Sequence, residues 1–144
     1  MAEANVHKDF HGALSYGLQF LEERHGREAL EAFLGGLAGT VYRPLVDNLR
    51  ARGLNALEDH WRRIFDLEEG GYAITREDGA LVLTVTRCPA IHHMRGHGYG
   101  VAAHFCESTR LVNEAVCAAA GYACSTEYDQ EHGRCVQRFW RAAP

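Results

Sequence analysis

Three prolines in 144 residues, two methionines and no run of apolar residues near the ~18 needed for a membrane span are what this sequence has least of. Few prolines and a 47% hydrophobic composition exclude a collagen-like or disordered chain and leave enough apolar material for a packed core. Basic residues are also short: fifteen Lys plus Arg stand against nineteen Asp plus Glu, a formal charge of −4, and they are scattered. A phosphate-binding surface is therefore not expected, and nucleic acid is excluded as a partner. The opening Met-Ala-Glu-Ala-Asn-Val-His-Lys lacks the basic and apolar regions of a secretory signal, so the expectation is a cytoplasmic protein without membrane partners. Five cysteines are an odd number for such a compartment, so disulfides are not the first reading and each thiol needs its own explanation.

The length suits one domain over residues 1–144, with a helical part over 1–69 and a hairpin-helix-hairpin part over 70–144. Phe10, Leu14, Leu18 and Leu21 recur at the helical period, as do Leu30, Phe33, Leu34, Leu37 and Val41, with Gly26 as the break between them. Leu45, Val46 and Leu49 carry that apolar face onward past Pro44 as far as Gly53. A third helix fits Asn55 to Leu67, with Asn55 as N-cap and Leu57, Trp61, Ile64 and Phe65 as its stripe. At Gly70-Gly71 the period changes. Tyr72–Thr75 and Ala80–Thr86 around Asp78-Gly79 predict a β-hairpin, which Cys88-Pro89 stops. Residues 90–98 have no assignment, Val101–Ala120 reads as helix ending at Gly121, and Tyr122–Tyr128 with Arg134–Trp140 predict a second hairpin. The order implies an α+β fold in which two hairpins form one antiparallel sheet packed against helices, with a small-molecule pocket between the layers.

Cys88 stands at a strand end, Cys106 early in a helix and Cys135 near the start of the last strand, positions where functional groups are displayed. Cys117 and Cys124 read instead as small buried hydrophobes. His7, His11 and His25 read as solvated or partly buried surface residues of the first helices, and His60 beside Trp61 can face a pocket, although a lone helical histidine is more often structural.

The run Thr86-Arg87-Cys88-Pro89-Ala90, then His104-Phe105-Cys106-Glu107, Gly121-Tyr122 and His132-Gly133-Arg134-Cys135-Val136-Gln137-Arg138-Phe139 resembles the L-2-amino-thiazoline-4-carboxylic acid hydrolase family over roughly residues 70–140. The layout is also similar to vinyl-reductase-type small-molecule-binding domains and to TRAPP subunits, which makes binding without catalysis the second reading. Two features depart from the family: Gly133 is followed by Arg134 rather than by an acidic residue, and His92, His93 and His97 crowd the segment after Cys88-Pro89. Both leave the exact substrate open.

The resemblance implies attack on the amidine-like C2 of a five-membered ring, loss of the ring sulfur as thiolate and opening to an N-carbamoyl amino acid. A thiolate suits that centre once an imidazolium or a helix N-terminus lowers its pKa. Cys106 or Cys88 is then the candidate nucleophile, with His104 or one of His92, His93 and His97 moving the proton. Cys135 and Asn113 are candidates for the pocket wall, and Arg87 and Tyr42-Arg43 for holding a substrate carboxylate. No cofactor is expected on this reading. The alternative is a zinc ion on Cys88, Cys106 and Cys135, although these cysteines are far apart and no C-x-x-C pair occurs. The apolar stripe from Leu30 to Leu49, with glycines at 35, 36 and 39, is the candidate surface for a homodimer.

Overall fold

A computed structural model describes residues 6–144; the leader reading made on the first residues falls largely on 1–5 and to that extent lies outside the described residues. Four helices come first: α1 (Phe10–His25), α2 (Arg27–Gly36), α3 (Arg43–Arg52) and α4 (Leu54–Leu67). A hairpin of β1 (Gly71–Glu77) and β2 (Ala80–Arg87) follows, then α5 (Pro89–Gly96), α6 (Phe105–Ala120) and a second hairpin of β3 (Tyr122–Asp129) and β4 (Arg134–Arg141). The two hairpins join into one antiparallel sheet of order β1-β2-β4-β3, so the α+β expectation holds. No helix among the described residues is long and apolar enough to cross a membrane.

The first hairpin turns on Asp78-Gly79, both at positive φ, the conformation a two-residue turn of matching twist requires. The sheet then repeats itself in rows, because side chains alternate faces along each strand. Tyr72, Val85, Cys135 and Tyr128 stand opposite one another across the four strands, as do Ile74, Leu83, Gln137 and Thr126, and then Arg76, Leu81, Phe139 and Cys124. Of the six middle members of these rows, Leu81, Leu83, Val85, Gln137 and Phe139 are buried beneath the helices and Cys135 is partly buried. Leu49, Leu57, Val116 and Tyr122 complete the core over Phe139 and Leu81. Leu18, Leu30, Leu34, Ile91 and Met94 form a second core between α1, α2 and α5.

Several local expectations differ from the structure, each for a physical reason. The second apolar stripe is two helices rather than one continuous face. The glycines at 35, 36 and 39 weaken the helix, a 3-10 turn occupies Leu37–Gly39, and α3 starts afresh with Pro44 in its first turn. Leu30, Leu34, Val46 and Leu49 of that stripe are buried inside the chain itself, whereas Phe33 and Val41 are exposed. Asn55 is not the cap of α4, which begins at Leu54. Its Oδ1 instead accepts from Arg76 Nη2 at 2.9 Å. Residues 89–96 form α5. Helix α6 begins at Phe105 and not at Val101, because side chains of α1 hold the preceding backbone: Ala102 N–H donates to Ser15 Oγ at 2.7 Å and Ala103 N–H to Gln19 Oε1 at 2.9 Å.

Candidate functional site

A cavity of about 290 Å³ lies between the helix-facing side of the sheet and helices α1, α4 and α6. Cys88, Cys106 and Cys135 all line it, although they come from three different elements.

Each sulfur is placed by a backbone anchor. Cys88 ends the first hairpin in extended conformation (ψ 120°) and caps α5, and its N–H donates to the carbonyl of Gly133 at 2.8 Å. Gly133 sits at φ +64°, a backbone conformation that favours glycine, although a Cβ there would meet Ile91 and Cys88 only at ordinary contact distance. Cys106 is the second residue of α6, where backbone N–H groups have no partner within the helix. Gln130, from the turn of the second hairpin, supplies one: its Oε1 accepts from Cys106 N–H at 2.8 Å while its Nε2 donates to the Ala102 carbonyl at 2.9 Å. Cys135, two residues beyond Gly133 on β4, shares the inward row with Val85 and Tyr128.

Burial dominates the acid-base state of these thiols. It pushes Cys106 up to about 12, with repulsion from Cys88 and Cys135 adding to it, against a smaller opposing pull from Arg95. Burial likewise raises Cys88, opposed by the amides of Ile91 and Ala90 at the start of α5, and raises Cys135, opposed by Gln137. At neutral pH all three are protonated thiols, not thiolates. Gln137 Nε2 donates to Cys135 Sγ at 3.3 Å, and its Oε1 accepts from Asn113 Nδ2 at 2.7 Å. Asn113 therefore does line the cavity, as a buried clamp between α6 and β4.

Tyr42 also lines the cavity, where burial raises its hydroxyl pKa. The histidines do not behave as expected. His104 is half-exposed outside the cavity, its Nδ1 paired with Glu22 at 2.8 Å. His92 and Arg87 lie in a shallow groove on the far side of Cys88, which lines both spaces, and Arg87 donates to the Glu69 carbonyl at 2.7 Å. His93 pairs with Asp9 at 2.9 Å, and His97 stacks on it with ring centroids 4.1 Å apart. His97, the residue directly after α5, stands four positions beyond His93, a spacing that metal-ligand pairs use. Even so, among the described residues no group of three or more His, Cys, Asp or Glu side chains is arranged to hold a metal ion.

Two other histidines, His11 and His60, are at the cavity instead. His11 is buried, not on the surface, and pairs through Nε2 with the equally buried Glu68. His60 faces the cavity from α4, and burial together with nearby Arg63 lowers its pKa to about 4, so it is neutral. Its Nε2, the neighbouring Trp61 Nε1 and Thr126 Oγ1 are buried side-chain polar atoms without a partner among the described residues, and all three residues line the cavity. A signal for them existed: His60 lies three positions from Leu57 and four from Ile64 on the apolar stripe, and Thr126 alternates inward with Cys124 and Tyr128. Of the two cysteines read as core, Cys117 is buried, with its pKa raised by a hydrogen bond shared with Cys124 and by burial, and it too reaches the cavity wall.

The exposed Phe10, Leu14, Tyr128 and Arg134 form the rim. No family model, curated protein or solved structure matches the chain.

Proposed function

We propose that the protein binds a small organic molecule in the cavity between sheet and helices, with Cys88, Cys106 and Cys135 meeting it as neutral thiols. The observation that carries this reading is the convergence of three cysteines, distant in the chain, on one mainly apolar cavity. A packed interior leaves few voids larger than a water, so a cavity of this size fits a ligand site better than a packing defect. The test is a panel of small heterocycles screened by shift in melting temperature, with Cys106→Phe, which fills the cavity, as control. A compound that stabilises the natural protein and not the variant supports the reading. A panel without any stabiliser, or stabilisers that act equally on both, defeats it.

Cysteine-dependent hydrolysis of a cyclic amidine is the second reading. What favours it is that Cys106 lies in the first turn of α6 and Cys88 directly precedes α5, both at helix ends whose dipole supports a thiolate. Because burial holds Cys106 near 12, its proton must be taken as it attacks, and His60 is a neutral imidazole lining the same cavity. The sulfur would add to the ring C2, the ring C–S bond would break with the proton going to the departing sulfur, and water would release the carbamoyl product. Formation of that product from a 2-amino-thiazoline, abolished by Cys106→Ser, is the result this reading requires.

A further inference from the structure

The odd number of cysteines resolves into the three that converge on the cavity and a pair, Cys117 and Cys124, all of them free thiols. A one-residue reversal brings the pair together. Helix α6 ends at Ala120, Gly121 turns in the left-handed conformation at φ +83°, and β3 starts at Tyr122, so the strand packs directly back against the helix it follows. Cys124 stands in the inward row with Phe139 and Leu81, and it packs against the core cluster that contains these two and Cys117. There the two sulfurs share a hydrogen bond.

The surroundings of the two thiols differ. Cys117 is 1% exposed, whereas Cys124 is only partly buried and lies beside the ion pair of Arg110 and Glu114, whose side chains reach solvent. The first negative charge therefore falls on Cys124. Donation from the Cys117 thiol lowers the Cys124 pKa, helped by Arg110 and opposed by burial and by Glu114, while the same bond and burial raise Cys117. Of the five thiols, Cys124 alone is shifted towards the thiolate.

We propose that Cys117 and Cys124 form a reversible redox pair, in which a hydroperoxide oxidises Cys124 first and Cys117 then closes the disulfide. The Cys124 sulfur takes the terminal hydroxyl of the hydroperoxide as the O–O bond breaks, and the departing oxygen leaves as an alcohol, or as water, with the proton that Cys124 gives up. Cys124 is then a sulfenic acid. The Cys117 sulfur attacks it, the S–O bond breaks, and the hydroxyl leaves as water with the Cys117 proton. Two electrons have passed from the thiols to the hydroperoxide, and a small dithiol returns them by exchange. No step uses the three cavity cysteines, so the pair stands independently of the function proposed for the cavity.

Cleavage after arginine gives one peptide, residues 111–134, that holds Cys117 and Cys124 and no other cysteine. The full chain is reduced, treated with excess hydrogen peroxide at pH 7, denatured, alkylated with iodoacetamide and digested. Mass spectrometry is expected to find this peptide unalkylated and two hydrogen atoms lighter than its reduced form, and doubly alkylated again if dithiothreitol precedes the alkylation. In Cys117→Ala the peptide should instead trap dimedone at Cys124. Without peroxide, iodoacetamide should label Cys124 of the native natural protein at least about tenfold faster than Cys106. Should Cys117→Ala fail to fold, the natural protein decides alone. A peptide that stays doubly alkylated after peroxide, or a disulfide that joins Cys124 to a different cysteine or to a second chain, overturns the pair. Labelling of Cys124 no faster than that of Cys106 overturns its place as the thiol oxidised first.

Discussion

Asn113 Nδ2 donates to Gln137 Oε1 at 2.7 Å, with both side chains buried, and this one bond ties the middle of α6 to the centre of the sheet. Gln137 passes the constraint on, since its Nε2 donates to Cys135 Sγ. The thiol's position thus depends on a helix residue that it does not itself contact through a hydrogen bond.

Truncating that helix residue leaves the Gln137 carbonyl oxygen buried and unpaired. Asn113→Ala is expected to destabilise the fold by about 1–3 kcal/mol, on the order of several degrees of melting temperature for a chain of this size. A thermal melt by circular dichroism measures it, and an unchanged midpoint would contradict the clamp.

Cys106 titrates near 12 when folded against 9.0 for a free thiol. The folded protein therefore holds this proton more tightly than the unfolded one. Its contribution to stability is complete below pH 9 and is lost as pH rises from 9 towards 12. Iodoacetamide should label Cys106 far more slowly at pH 7 in the native protein than in the unfolded one, and Cys106→Ala should soften the alkaline loss of stability. Fast native labelling at pH 7 would mean an activated thiolate and would favour the hydrolytic reading.

His60 behaves in the opposite sense. Its folded pKa of about 4 lies below the usual 6.5, so the unfolded chain binds the proton more readily. The neutral ring's contribution is present above pH 6.5 and falls away as pH drops towards 4. In His60→Phe the melting temperature should decline less between pH 6.5 and 4 than in the natural protein. Parallel curves would remove His60 from the list of buried titrating groups.

A third titration belongs to Glu107, one residue beyond Cys106. Arg110 first, then Tyr128 at 2.8 Å and Arg27 at 2.7 Å, hydrogen-bond its carboxylate and hold it down to about 2. This stabilisation is present above pH 4.5 and is lost as pH falls from 4.5 to 2. Glu107→Gln should cost about 2 kcal/mol at pH 7 and much less at pH 2, measured by urea unfolding at both. A pH-independent loss would mean that packing, not charge, is what Glu107 supplies.

The sequence by itself determined which stretches are helix and which are hairpin, α5 and the break between α2 and α3 excepted, because helical and strand periods are local: Leu57, Trp61, Ile64 and Phe65 mark α4, and Asp78-Gly79 between β-branched runs marks the first hairpin. It also singled out Cys88, Cys106 and Cys135, since element ends are visible locally. Three further properties were decided only by tertiary structure. Strand order is one: β2 lies beside β4, which puts Cys135 opposite Val85, and no local pattern encodes which hairpin edge meets which. The histidines are the second, for a ring on an amphipathic helix is buried or exposed according to what packs over it. Helix α1 buries His11 against Glu68, while His104 ends half-exposed beside Glu22. The thiol state is the third, because a helix N-terminus alone predicts a lowered pKa, whereas the apolar walls from α1, α4 and the sheet desolvate Cys106 and raise it. Charge chemistry depends on the surroundings in three dimensions, and these are supplied by residues far away in the chain.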